Sequence, residues 1–444
     1  MYNKRPLGNR AKLQLMSAIK ALAHKESFIG LYFLLFIMGI TVGSDYGFYN
    51  ESRIVEVNLL LGLGLYNCFY KRYIVTRVDW LFFTFIVVGI FFWSNTLYVI
   101  VDLLLFYLLY KSFYFLDYRP LLTKLLVLAS FLIFLLLPVA LWDYLNSGSY
   151  SSYWYLSRLN IRIYNSYLLI ISIFAVWFYL TEQSFKNLYL FFLFLAFLSI
   201  LLDAGRSATL AYTVFIFIIC VFNSSVRWKL ISLYVMSLLT YLAITYLAGM
   251  QDSTSSIIEL QIARATTSQR YDIWMNAVQC WVQSPIWGCG FYQLDSTQTL
   301  AAHPHNLFLQ VLSETGLIGL GLLLAIIFFI AKNMSWNLRQ NYFVIAALLA
   351  IGVELSLSGI HIYPITQIGL LWLFVFLLKN PNFSHAKNFT LATTTRVKLD
   401  ELLFIVIYIS IFCFFLYIFI TTTALTNNEL MTRPRFLENG YKIF

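Results

Sequence analysis

Two histidines separated by one proline, His303-Pro304-His305, stand directly before Asn306 and a long apolar run that begins at Leu307. A histidine at that junction sits where a membrane helix meets water. Imidazole is the side chain best suited to take a proton near neutral pH. His305, next to the asparagine and the helix, is the stronger candidate base; His303 is the weaker, and Pro304 sets the turn between them. The chain has only five histidines, and two of them are here. Arginines supply the other half of the chemistry. Arg206 follows the small residues Ala204 and Gly205, within reach of Asp203, and Arg264 and Arg270 lie in the polar segment before His303. A guanidinium stays charged in a dry site and grips phosphate oxygens with two parallel hydrogen bonds. A neutral base beside such a clamp would activate a hydroxyl against a group leaving as a phosphate. Each residue also has an ordinary reading: a helix-capping histidine, a snorkelling arginine, solvated loop charges.

The elements that position these residues follow from composition. The chain has 444 residues, 60% hydrophobic and 11% charged, with a mean hydropathy of +0.76. A soluble domain cannot hide so much apolar surface, so the sequence predicts an all-α polytopic transmembrane helical bundle. Apolar runs predict helices near 28–43, 55–70, 79–94, 96–112, 123–142, 167–181, 186–202, 207–223, 229–249, 305–331, 342–358, 362–378 and 401–421, about 12–13 spans. The whole chain, 1–444, reads as one integral membrane domain. Residues 250–304 form a large outer loop, and residues 422–444 a short outer tail. The basic residues 1–25 precede an apolar run with no small-residue cleavage site, so the first span reads as retained.

The net charge of +10 comes without a basic block, which argues against nucleic acid. Membrane topology accounts for it. With residue 1 in the cytoplasm, the lysine-rich segments, Lys111, Lys124, Lys186, Lys229, Lys332 and Lys379 among them, fall inside. The outer segments hold nine basic residues, Arg53, Arg158, Arg162, Arg206, Arg264, Arg270, Arg433, Arg435 and Lys442, of which one is a lysine. An arginine-dominated outer face leans toward an anionic ligand.

Residues 143–166 read as a second outer loop, rich in Tyr, Ser and Asn, in which Tyr153, Trp154 and Tyr155 offer rings for stacking on sugars. In the large loop, Ser268–Ser284 reads as an amphipathic surface helix ended by Pro285, with Trp274, Val278 and Trp281 on one face and Arg270 a turn before Trp274. Cys280 and Cys289 fall outside; a disulfide and two free thiols are both open. No cysteine spacing resembles a zinc site. Outer carboxylates, Asp252, Glu259, Asp272 and Asp295, are well separated, with no Asp-x-Asp. A diphosphate held through a metal needs clustered carboxylates, so the expected chemistry is metal-independent and cofactor-free. Glu314 and Glu354 lie within apolar runs and must face the protein interior or a cavity. Gly316 and Gly319, on the helix that His305 heads, have the small-residue spacing that admits a close helix neighbour.

At these residues the sequence resembles the O-antigen ligase family and its relatives, the O-antigen polymerases and the O-linked oligosaccharyltransferases of bacterial inner membranes. His305-Asn306, nine residues, and Gly316-Leu317-Ile318-Gly319 correspond to one family motif. Arg206-Ser207-Ala208-Thr209-Leu210 corresponds to a second, and Ser268–Trp274 with Pro285–Gly288 is similar to the family's large periplasmic loop. The span at 401–421 departs from ligases, which commonly end in the cytoplasm. The resemblance implies an inverting glycosyltransferase in the inner membrane with its site toward the periplasm. Its donor is a glycan on undecaprenyl diphosphate, and its acceptor a hydroxyl on lipid A-core, another glycan or a protein. His305 would be the base, and Arg206, Arg264 and Arg270 would hold the diphosphate. Asn306, Gly316, Gly319 and His303 would support them. O-antigen ligation in lipopolysaccharide biosynthesis is the leading reading, with polymerase and protein O-oligosaccharyltransferase as alternatives. A lipid-linked sugar transporter or flippase is the competing class; it would show paired broken helices and mid-membrane polar residues, whereas the distinctive residues here cluster on one face.

Overall fold

The structure, a computed structural model, describes residue 36 and residues 49–70, 77–93, 96–114, 120–151, 154–155, 161–182, 184–250, 270–291, 303–332, 334–362, 364–379 and 394–421. The described residues are mainly helical, in the order Tyr49–Tyr70, Arg77–Phe92, Thr96–Tyr114, Pro120–Ala129, Leu137–Ser147, Ile161–Thr181, Lys186–Leu202, Arg206–Phe222, Ser224–Gly249, Arg270–Gln283, Leu307–Lys332, Leu338–Leu357, Pro364–Lys379 and Thr394–Thr421. Five stretches are long and apolar enough to cross a membrane, and seven shorter helices are apolar as well. The expected multi-pass helical bundle is therefore what the chain forms. The span read near 28–43, apart from Phe36, the tail 422–444, Arg264 and parts of the large loop, 251–269 and 292–302, lie outside the described residues.

Two expected elements differ. The run read as one helix at 123–142 is three pieces, Pro120–Ala129, a 3-10 turn at Ser130–Phe134 and Leu137–Ser147. Pro138 is the cause: it occupies the first turn of the last piece, lacks an N–H and sterically opposes a continuous helix through it. The segment 143–166, read as a loop, ends in helix, since Ile161–Thr181 starts six residues earlier than its apolar run. This moves Arg162 from a loop to the head of a helix. Ile161–Thr181 is the centre of the bundle, buried along 89% of its most apolar window. Pro120–Ala129, Lys186–Leu202 and Pro364–Lys379 surround it. A helix enclosed by protein need not be apolar at its ends, which is why periodicity understates its length.

The charges separate onto two ends of the bundle. At one end Lys111 Nζ meets Asp79 Oδ2 at 2.8 Å with both side chains buried. Lys124 Nζ meets Glu182 Oε2 at 2.7 Å, and Asn223 Nδ2 donates to the Tyr342 hydroxyl at 2.9 Å. At the other end Arg162, Arg206, Arg270 and His305 come together.

The helix Leu307–Lys332 carries the histidine segment at its head and is broken at Gly316, whose φ of 64° and ψ of −161° are non-helical. A break inside a membrane helix leaves polar backbone groups that lipid cannot satisfy. The loop after Arg270–Gln283 satisfies them. Cys289 N donates to Ser313 O at 2.9 Å and Gly290 N to Glu314 O at 3.0 Å, while Leu317 N donates to Pro285 O at 3.0 Å and Ile318 N to Ile286 O at 3.3 Å. A Cβ on Gly316 would strike the backbone of Ile286 and Gly288, and one on Gly288 would strike that of Glu314 and Thr315. So the close neighbour of Gly316 is a loop, not the second helix that its spacing with Gly319 suggested. Gly319 gives room to Thr315 of its own helix. Cys280 and Cys289 are disulfide-bonded, closing the loop onto Arg270–Gln283.

Replacing Gly316 by alanine adds a left-handed penalty of about 1–2 kcal/mol to a backbone clash. Gly316→Ala is therefore expected to lower the thermal unfolding midpoint, read by tryptophan fluorescence in detergent. Gly321→Ala, whose Cβ would meet nothing within 4 Å, leaves that midpoint unchanged or slightly higher. Equal melting of the two variants would show that the break does not depend on Gly316.

Candidate active site

His305 is 6% exposed and adopts a φ of 52°. A left-handed backbone at a non-glycine residue is costly and persists only where its surroundings hold it. Two contacts do so. Trp274, on Arg270–Gln283, donates its indole N–H to Pro304 O at 2.8 Å. Asn306 accepts at its side-chain Oδ1 from Leu309 N at 3.0 Å, capping Leu307–Lys332. The asparagine of the His-Asn pair is thus the cap of the helix, and the histidine is the last residue before it. His303 lies edge-to-face against His305, with ring centroids 4.3 Å apart.

The arginines arrive on three other helices. Arg206 is the first residue of Arg206–Phe222, and Arg270 the first of Arg270–Gln283. A Cβ at Gly205 would strike the Asn165 side chain, so the turn before Arg206 presses against Ile161–Thr181 one turn from Arg162. Arg162 Nη1 lies 3.3 Å from His305 Nε2. Burial first, then the Arg162 and Arg206 charges, lower the Arg270 pKa; Glu354 opposes them. Burial, Arg162 and Arg270 push the His305 imidazole down to about 4. His305 is therefore neutral at ordinary pH, and its charged form gains protonation only as pH falls toward that value.

Glu354, 1% exposed, accepts from Ser166 Oγ at 2.6 Å, with Ser207, Ser358 and Arg270 around it. It ties the heads of Ile161–Thr181 and Arg206–Phe222 to the end of Leu338–Leu357. Glu314 is buried, and Gln310 Nε2 donates to its Oε2 at 3.5 Å. Gln310 Oε1 also lies 2.9 Å from His361 Nε2. His361 is pushed down to about 3 by burial and then by His305, which brings a third histidine to the site.

Asp203 accepts from the Tyr150 and Tyr155 hydroxyls, each at 2.6 Å, and Trp154 Nε1 donates to the Tyr150 hydroxyl at 2.8 Å. Burial raises the Asp203 carboxyl to about 7, against the pull of the two tyrosines. Tyr155 stacks on Trp154 at 3.7 Å and on Tyr164 at 3.8 Å between ring centroids. Trp154 and Tyr155 are buried, so their faces belong to this internal stack and not to sugar rings; Tyr153 lies outside the described residues. These bonds fasten Tyr150, Trp154 and Tyr155 over Asp203, in the turn that leads to Arg206.

The structure thus brings together His305, His303, Arg206 and Arg270, and places Arg264 outside the described residues. Sequence reasoning missed Arg162 and His361. Arg162 carried a signal in the arginine excess of the outer face, but it was assigned to a loop; His361 carried none beyond its rarity as one of five histidines. No group of three or more His, Cys, Asp or Glu side chains that could hold a metal converges among the described residues. What the arrangement offers chemically is a neutral base beside the Arg162 and Arg270 charges, with Arg206 next to Arg270.

No curated protein matches the chain. The family model described as O-antigen ligase matches residues 191–324, a span that includes Arg206, Arg270, His305 and Gly316. Over that span, which holds the histidine and arginine motifs, the chain is similar to the O-antigen ligase family.

Proposed function

We propose that the chain transfers a glycan from undecaprenyl diphosphate to an acceptor hydroxyl at the periplasmic face of the bacterial inner membrane, with ligation to lipid A-core as the leading reaction. The observation that carries this reading is the neutral His305 imidazole held against Arg162 and Arg270, with Arg206 next to Arg270. His305 takes the acceptor proton as the acceptor oxygen attacks the anomeric carbon. The C–O bond to the diphosphate breaks, and its electron pair leaves with the diphosphate. The guanidinium groups hold that leaving charge, an electrostatic and positioning role. A single displacement inverts the anomeric carbon. The outer-face arginines and the lysine-rich opposite end orient the site toward the periplasm. O-antigen polymerases and protein O-oligosaccharyltransferases would use the same groups with a different acceptor.

The roles separate in variants matched for expression. A general base contributes about 10²–10⁴-fold to rate, so His305→Ala loses turnover by that order and keeps donor affinity. Arg206→Ala and Arg270→Ala weaken donor binding by roughly 10–100-fold, the effect of a charge-assisted hydrogen bond of about 1.5–3 kcal/mol. Lysine rescues either poorly, because a point charge lacks the guanidinium fork, and His303→Ala is mild. Donor-binding and single-turnover assays decide; an inactive His303→Ala with an active His305→Ala would reassign the base. The pH profile has a definite sign. A base with its pKa pushed down to about 4 is already unprotonated at neutral pH, so kcat/KM for donor is flat from about pH 8 to about pH 5 and falls below that.

Metal independence has its own test. Transfer persists in excess EDTA; complete loss restored by Mg²⁺ or Mn²⁺ would mean that a metal holds the diphosphate.

A further inference from the structure

Arg162 lies outside the span that the family match covers, yet it makes a direct polar contact to His305, 3.3 Å from Nη1 to Nε2. A guanidinium has five N–H donors and no acceptor. In that contact Arg162 donates and His305 Nε2 accepts. The ring proton of the neutral imidazole is then on Nδ1, and the Nε2 lone pair, the one the base must use, is already occupied by a cation. We propose that Arg162 is a removable cap on the base: it donates to His305 Nε2 while the donor site is empty, and it turns to the diphosphate when donor binds, uncovering the lone pair for the acceptor hydroxyl.

The inference rests on the glycosyl-transfer reading and deepens it. Arg162 is able to move, because its side chain is exposed. It has a reason to move, because a phosphate offers the guanidinium an opposite charge and a bidentate partner, which a neutral imidazole nitrogen does not. Arg206 and Arg270 already draw the diphosphate to the same place. The groups facing His305 are Arg162 from Ile161–Thr181, Arg270 from Arg270–Gln283, His361 from the segment after Leu338–Leu357, and His303 on its own segment. Among the described residues none of these groups is an anion, so an arriving diphosphate changes the sign of the charge nearest the ring. Once Arg162 has turned, the acceptor O–H bond breaks as an N–H bond forms at Nε2. The acceptor oxygen bonds the anomeric carbon, and the diphosphate departs with the electron pair of its C–O bond. The imidazolium so formed is stabilised by the diphosphate beside it until its proton is lost to that diphosphate or to water. Catalysis is then ordered, with donor before acceptor, because an acceptor hydroxyl that arrives first finds no free lone pair.

The test is a histidine titration by ¹⁵N NMR on full-length protein labelled at histidine and reconstituted in liposomes. The His305 signal is identified by its loss in His305→Gln. Spectra are taken without and with undecaprenyl diphosphate, whose binding is followed separately by ³¹P. In the wild type without lipid, Nδ1 carries the proton and the ring titrates far below neutrality; bound undecaprenyl diphosphate moves the titration up by about 1 to 3 pH units. In Arg162→Gln the lipid-free titration is already raised, and the lipid moves it less. Arg162→Lys, which keeps the charge, titrates between the two. The proposal is overturned if the lipid binds and the wild-type titration stays in place, if the proton is found on Nε2, or if Arg162→Gln titrates like the wild type. If undecaprenyl diphosphate does not bind the wild type, the ³¹P signal shows it, and the glycosyl-transfer reading falls together with the cap.

Discussion

Like charges held close together are the constraint on which this molecule turns. Arg206 opens a helix behind Gly205, and Arg162 and Arg270 lie on two others. The N-terminal end of a helix carries a partial positive charge, where cations are ordinarily unfavourable. Arg206 violates that preference, and the mutual repulsion of three arginines, their charges felt at Arg270 and His305, adds to it. Proteins break local rules of this kind where function requires it. The result is a pocket whose potential comes from side chains and helix ends at once, a setting that suits an anion. Glu354 offsets part of it from below, but its carboxylate is engaged by Ser166.

The remainder of the fold keeps these charges and the imidazole in place. The central helix Ile161–Thr181 fixes Arg162, and the Gly205 contact with Asn165 brings Arg206 to it. The Asp203–Tyr150–Tyr155 network holds the turn from the other side. His305 is positioned by a different device. The break at Gly316 lets the loop 285–290 bond to the interior of a membrane helix, so Arg270–Gln283 is tied to the helix that His305 heads. Trp274 completes the tie at Pro304. The single disulfide of the described residues secures the same junction. The loop 285–290 is thereby fixed to the bundle beside the site.

Much of this was legible in the sequence, for identifiable reasons. Apolar runs have a length fixed by the bilayer, so the spans were recognisable. His305 stood out because histidines are rare here and this one lies at a polar–apolar boundary. Arg206 and Arg270 were marked by their neighbours. Arg162 was not, because hydropathy ends a helix where polar residues begin, and an enclosed helix continues past that point with Arg162 and Asn165 on it. The spacing of Gly316 and Gly319 suggested helix packing, but a positive φ and a backbone approach cannot be read from spacing. The rings of Trp154 and Tyr155 looked available for sugars because sequence shows a ring and not what covers its face. Pro138 divided an apolar run that hydropathy alone read as continuous.

The central claim is that the arginine pocket recognises a lipid-linked diphosphate. Calorimetric titration of the protein in nanodiscs with undecaprenyl diphosphate and, in parallel, with undecaprenol tests it most directly. The account predicts saturable binding of the diphosphate that weakens with added salt and no comparable binding of the alcohol. Equal binding of the two lipids would contradict it, because the polyprenyl chain and not the charge would then be what the site holds.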